Sequence, residues 1–133
     1  MEHEFEKDHG GRENYYPCKF KKDLIGDCVI RSVAIGTGQD YMVVFKALFA
    51  LGLKMGRLPN DSKVYVAYLA SLGWERNSPL KTASGKKYKI GDFPLPNAII
   101  KTMGHLTCIR EGVHRDTYDC RRSSAQTYYT KAD

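Results

Sequence analysis

A cysteine thiol becomes a useful nucleophile when a base takes its proton, and the base works best when a third group fixes its tautomer. Cys28, His105 and Asp116 are residues of the right types for such a set. Cys28 follows Asp27, an aspartate suited to capping a helix. The thiol would then stand in a first turn, where unpaired N–H groups and the helix dipole favour a negative sulfur. Asp27 opposes this with its own charge, unless its carboxylate turns toward the backbone donors of the helix. His105 opens an apolar run directly after Gly104, which would leave room for another side chain beside the imidazole. If Glu111-Gly112 is a two-residue hairpin loop, Arg110 faces Val113 and the same register sets His105 opposite Tyr118. Asp116 is then a diagonal neighbour, with its Cβ about 7–8 Å away, within reach to orient the ring. A loop one residue different would instead place Asp119 opposite His105, so Asp119 is the alternative orienter. His114 falls on the same face but farther from His105, and reads as a packed or solvated strand histidine.

These side chains need elements to hold them. Val29, Ile30, Val33 and Ala34 recur at helical spacing behind Asp27, and Gly36 and Gly38 should stop the run. A second helix is predicted from Asp40, with Tyr41, Val44, Phe45 and Leu48 on its buried stripe and a break across Gly52 to Gly56. A third follows Asn60-Asp61-Ser62, carries Val64, Tyr65, Tyr68, Leu69 and Leu72, and ends at Gly73, with Trp74 folding back on its last turn. Residues 75–97 hold Pro79, Gly85, Gly91, Pro94 and Pro96 and read as a connecting loop region, with at most a brief strand over Tyr88 to Ile90. Strands are predicted at 98–102, 105–110 and 113–118, with Tyr128 and Tyr129 as a last edge segment. Helices first and antiparallel strands second make an α+β domain with the helices on one side of the sheet. Residues 1–22 read as a polar N-terminal arm whose Tyr15, Tyr16 and Phe20 dock onto a single domain of residues 23–133.

At 133 residues the chain is too short for a multidomain machine and long enough for one self-sufficient core. Lysine and arginine outnumber the acids 21 to 15, which gives a net charge of +6 and some attraction to polyanions. The basic residues stand in small groups (Lys19, Lys21, Lys22; Lys86, Lys87, Lys89; Arg121, Arg122) without finger or helix-turn-helix spacing, so nucleic acid is a possible but not favoured partner. No apolar run approaches the roughly 20 residues of a membrane helix, and the acidic, polar start is unlike a secretory leader; the expectation is a cytoplasmic protein with no membrane partner. Cys18, Cys28, Cys108 and Cys120 are accordingly expected as free thiols. His105-x2-Cys108 and His114-x5-Cys120 mix metal-ligand types, but without a CxxC pair neither spacing matches a zinc ribbon or finger, so no metal or cofactor is expected.

Four segments carry a family resemblance: Gly26-Asp27-Cys28-Val29-Ile30-Arg31-Ser32-Val33-Ala34, Tyr68-Leu69-Ala70-Ser71-Leu72-Gly73-Trp74, Gly104-His105-Leu106-Thr107-Cys108-Ile109 and Glu111-Gly112-Val113-His114-Arg115-Asp116-Thr117. In this order, over roughly residues 22–120, the chain resembles small papain-like cysteine peptidase domains of phage and bacterial genomes. These are similar in turn to the peptidase domains of bacteriocin-exporting transporters. The resemblance implies a papain-like fold and a thiol hydrolase cleaving an amide, isopeptide or thioester bond of a protein or peptide substrate. It implies Cys28 as nucleophile, His105 as base and then acid, and Asp116 as orienter. Many such peptidases place a glutamine shortly before the cysteine as an oxyanion donor; here the stretch reads Lys21-Lys22-Asp23-Leu24-Ile25-Gly26. An ionised Asp23 cannot donate, which leaves the Cys28 backbone N–H and Lys22. The alternative is a catalytically silent, phage-encoded copy of the fold that binds a host protein or nucleic acid through its basic surface. Specificity loops are expected at residues 53–62 and 75–97.

Overall fold

In the computed structural model, residues 2–18 and 25–132 are described. The apolar stripes build three helices, α1 (Cys28–Thr37), α2 (Tyr41–Met55) and α3 (Ser62–Ser71). The Asp40 carboxylate caps α2 by accepting from the N–H groups of Met42 and Val43, and Asp61 caps α3 by accepting from Lys63 N–H. Gly38 and Gly56 end α1 and α2 in the left-handed conformation. Gly36, expected to stop α1, lies inside it. A Cβ there would stand 2.5 Å from Ile99 Cγ1, so the missing side chain is what lets the helix lie against the sheet.

Six strands follow the order β1-β5-β4-β3-β6-β2, with β1 (Glu4–Lys7), β2 (Trp74–Asn77), β3 (Ala98–Thr102), β4 (His105–Arg110), β5 (Val113–Asp116) and β6 (Tyr128–Lys131). All pairings are antiparallel except β1 with β5. The β4–β5 hairpin has the register expected from Glu111-Gly112: Arg110 faces Val113, Ile109 faces His114 and Cys108 faces Arg115. Glu111 (φ 51°) and Gly112 (φ 78°) both adopt the left-handed region, as a two-residue type I′ loop requires.

Four expectations change. The segment read as a polar arm contributes β1, because β5 has a free edge and the His3 ring fastens the strand's start to Gly112 O (3.0 Å) and Phe93 O (2.6 Å). Tyr15 docks as expected, its hydroxyl donating to Asp40 at 2.7 Å, whereas Phe20 and the Lys19, Lys21 and Lys22 group lie outside the described residues. Trp74 opens β2, a strand that runs on into the region read as a loop, while staying buried in the same cluster as Leu69. Tyr128 and Tyr129 form no edge, since β6 runs between β3 and β2. The proposed strand at Tyr88 to Ile90 reduces to a single bridge from Lys89 to Ser124, followed by a 3-10 turn over Ile90–Asp92.

The domain is therefore α+β, with apolar residues gathered on both faces of its sheet. Leu48, Val44, Val33 and Leu69 of the helices close on Ile99, Leu106 and Cys108. Ile90 and Phe93 of the loop region cover Ala98, Ile100, Ile109 and Tyr128. Each fully buried aliphatic or aromatic side chain contributes about 1.5–3 kcal/mol, so both layers hold the β3–β4–β5 platform firmly. No helix among the described residues is long and apolar enough to cross a membrane.

Candidate functional site

α1 begins with Cys28, β4 begins with His105 and β5 ends with Asp116, and the packing of α1 on β4 brings the three together. His105 Nε2–H donates to Asp116 Oδ2 at 2.7 Å. Cys28 lies beside His105, lining the same hollows, and with Nε2 occupied by Asp116 the ring nitrogen left for the sulfur is Nδ1. Leu106 lines the same hollow as the sulfur. The Tyr118 ring lies tilted beside the imidazole at 5.1 Å, in keeping with the hairpin register. Asp119, the alternative orienter, is exposed and bound to Arg121 at 2.8 Å. Gly104 precedes His105 for a reason other than room: a Cβ there would meet nothing within 4 Å, but the residue sits at φ +71°, which favours glycine.

The charges reinforce one another. Burial pushes the Cys28 thiol up, yet hydrogen bonds from His105 and Leu106 N–H and the charges of His105 and Arg31 bring it below an ordinary thiol. Burial alone would lower His105, but its hydrogen bonds to Asp116, Cys120 and Cys28 hold it well above an ordinary imidazole. Asp116 is pushed up by burial and brought below the usual carboxylate range by His105, Thr107 and Thr117 N–H, the last at 2.6 Å. All three shifts run toward the charged forms of thiol, imidazole and carboxyl.

A second layer fixes this one. The Asp27 carboxylate accepts no backbone N–H from the helix it precedes; it takes instead the Arg31 guanidinium and the Tyr41 hydroxyl, the latter at 2.7 Å. That answers the expected conflict with Cys28, because the first-turn N–H groups of α1 stay free while the Asp27 charge is neutralised. Arg31 also reaches Asp116 Oδ1 at 3.5 Å, and Arg12 donates to Tyr41 Oη at 2.9 Å and lies 3.6 Å from Asp27. On the far side of Asp116, Thr107 Oγ1 and Cys120 Sγ stand 2.9 and 3.1 Å from Nε2 of the fully buried His114. Sequence reasoning missed Arg12, Arg31, Tyr41 and Thr107, and weighed Cys120 only for its spacing from His114. Of the four missed, only Arg31 carried a local signal, an i,i+4 partner for Asp27 one turn after Cys28.

Cys28 and His105 line a cleft of about 430 Å³ whose walls include Lys7, Arg12 and Tyr118. On their other side is a depression of about 260 Å³ bordered by Asn60, Ser62, Tyr65 and Lys101. The thiol and the imidazole thus border both hollows. Lys22 and Asp23, considered as oxyanion neighbours, lie outside the described residues. All four cysteines are free thiols, and Cys108 and Cys120 are buried. No protein-family model, curated protein or solved structure matches the chain.

Proposed function

We propose that the chain is a papain-like thiol hydrolase acting on the amide, isopeptide or thioester carbonyl of a protein or peptide. The observation that carries this reading is His105 hydrogen-bonded to Asp116 and facing the same cleft as a thiol in the first turn of a helix. The Cys28 thiolate attacks the carbonyl carbon, and the developing oxyanion takes the Cys28 backbone N–H, which no Asp27 side-chain bond blocks. As the tetrahedral intermediate collapses, the carbon–nitrogen bond breaks and the His105 imidazolium gives its proton to the leaving amine. Neutral His105 then takes a proton from water, the hydroxide attacks the thioester, and the carboxylate leaves as the thiol is restored. Lacking the glutamine donor of the family it resembles, the enzyme works about 10²–10³ below a fully equipped oxyanion site. Its site is an intracellular one, in the host cytoplasm if the gene is a phage's.

The test is alkylation of each cysteine by iodoacetamide near pH 6.5, about two units below an ordinary thiol's pKa of ~8.5, read by peptide mass spectrometry in chelator. Cys28 should outreact the other three thiols and lose that advantage in His105→Ala, after which a peptide library identifies the cleaved bond. A Cys28 that labels no faster than its neighbours and ignores His105→Ala refutes the reading and favours a catalytically silent binding protein.

A further inference from the structure

The His114-x5-Cys120 spacing that matched no known finger is brought together by the fold. Behind His105, Cys120 Sγ lies 3.1 Å from His114 Nε2 and 3.9 Å from Asp116 Oδ2. The donor atoms of His105, Asp116 and Cys120 all lie within 4.8 Å of one another, and Asp116 (3% exposed) and Cys120 (6%) are buried. We propose that this cluster is a binding site for a divalent transition cation, with zinc the best match, held by His105 Nε2, Asp116 Oδ2 and Cys120 Sγ. His114 Nε2 approaches this set through Cys120 Sγ, at 3.1 Å.

Three observations support the assignment. The donor set is one nitrogen, one oxygen and one sulfur, which suits zinc and excludes the all-oxygen sites of magnesium and calcium. A tetrahedral ion with bonds near 2.0–2.3 Å needs donors about 3.3–3.8 Å apart, and the present separations of 2.7 and 3.9 Å reach that range with shifts below about an ångström. The two buried thiols also differ in kind. Cys108 packs among Ile99 and Leu106 as a small apolar residue, whereas Cys120 sits among two imidazoles and a carboxylate, surroundings that apolar packing does not require.

Asp116 is preadapted, because Arg31 and Thr117 N–H occupy Oδ1 and leave Oδ2 for the ion. Binding expels the protons on His105 Nε2 and Cys120 Sγ and turns His105 into a neutral ligand. An imidazole ligated at Nε2 cannot remain the imidazolium partner of Cys28. If the thiol hydrolase reading holds, metal occupancy and thiol reactivity therefore exclude each other; the metal site itself stands without it.

The test uses the purified full chain, stripped with chelator and titrated with Co²⁺, then with Zn²⁺ in competition. One equivalent of Co²⁺ should give a thiolate-to-cobalt charge-transfer band and tetrahedral visible bands, both removed by Zn²⁺. Cys120→Ser should abolish the charge-transfer band and weaken binding more than ~10-fold, the smallest loss typical even of outer-shell partners; Cys28→Ser and Cys108→Ser should keep both. No band, a band that survives Cys120→Ser, or one lost with Cys28→Ser overturns the site. Should Cys120→Ser fail to fold, ¹¹³Cd NMR of the wild type decides, since a shift without a sulfur ligand rejects the proposal. In the wild type, Zn²⁺ should slow Cys28 alkylation more than ~10-fold. Cobalt bound through Cys120 with Cys28 alkylation unchanged would keep the metal site and overturn its control of the thiol.

Discussion

Replacing Tyr41 by phenylalanine isolates one hydrogen bond between the N-terminal segment and the site. Tyr41 is fully buried and Asp27 is 5% exposed, so no water can take the place of the lost hydroxyl. That hydroxyl donates to Asp27 at 2.7 Å and accepts from Arg12 at 2.9 Å, and burial with the Asp27 hydrogen bond pushes its pKa up to about 12, which keeps it a donor. The ring is unchanged, so no cavity forms and the loss is that of a bond to a charged acceptor, about 1.5–3 kcal/mol. At about 2 kcal/mol, the melting temperature of a domain this size falls by roughly 6–10 °C. Urea unfolding of Tyr41→Phe, Arg12→Met and the double variant gives the assay. The two singles should be coupled by about 1 kcal/mol, as expected of residues in one network. A Tyr41→Phe loss under about 0.5 kcal/mol, or strict additivity, would refute the claim that this hydroxyl joins Arg12 to Asp27.

The pH dependence follows from the directions of the shifts. Cys28 lies below an ordinary thiol, so its alkylation rate in chelator should already rise well under pH ~8.5, while Cys108, pushed up by burial, should lag. For stability, the raised His105 contributes fully below about 6.5 and loses that contribution as pH rises through its folded value, whereas the lowered Asp116 contributes above about 3.9 and loses it as pH falls. Melting curves of the wild type against Asp116→Asn should therefore differ most between about pH 4 and 6.5; a constant difference would contradict the pair. Gly52→Ala should cost about 1–3 kcal/mol in urea unfolding, because a Cβ at this helical position would meet the backbone oxygen of Arg57 at 2.5 Å. Deleting residues 2–15 should lower the melting temperature and leave Cys28 no better aligned, since β1 and Arg12 belong to the sheet and the Asp27 network; a stable variant with faster labelling would show the segment to be a detachable cover.

Local chemistry made much of this legible in the sequence. Helical spacing with Asp40 and Asp61 caps placed α2 and α3, and the two left-handed residues of Glu111-Gly112 set a register that put Asp116 beside His105. Glu4 to Lys7 and Trp74 to Asn77 escaped because they are short, largely polar strands whose pairing depends on partners far along the chain. The same reason hid Arg12 and Tyr41, and kept the His114-x5-Cys120 spacing from showing that Cys120 approaches Asp116. Each matters through a side chain that folding delivers from another element, and no spacing within the sequence encodes that approach.

The strand order also has a consequence for how the domain assembles. Glu4 meets Val113, Trp74 meets Lys131, and β6 joins β3 to β2. Sheet completion therefore waits on encounters between distant parts of the chain, the kind of topology that folds in milliseconds to seconds rather than microseconds. The β3–β4–β5 meander, closed by short turns, can form early and hold His105 near Asp116. β2 has no sheet neighbour until β6 is in place, and the Arg12 anchor of the Asp27 network arrives only with the N-terminal segment. Refolding followed at Trp74, buried at the head of β2, should accordingly report a later event than refolding followed within the β4–β5 hairpin.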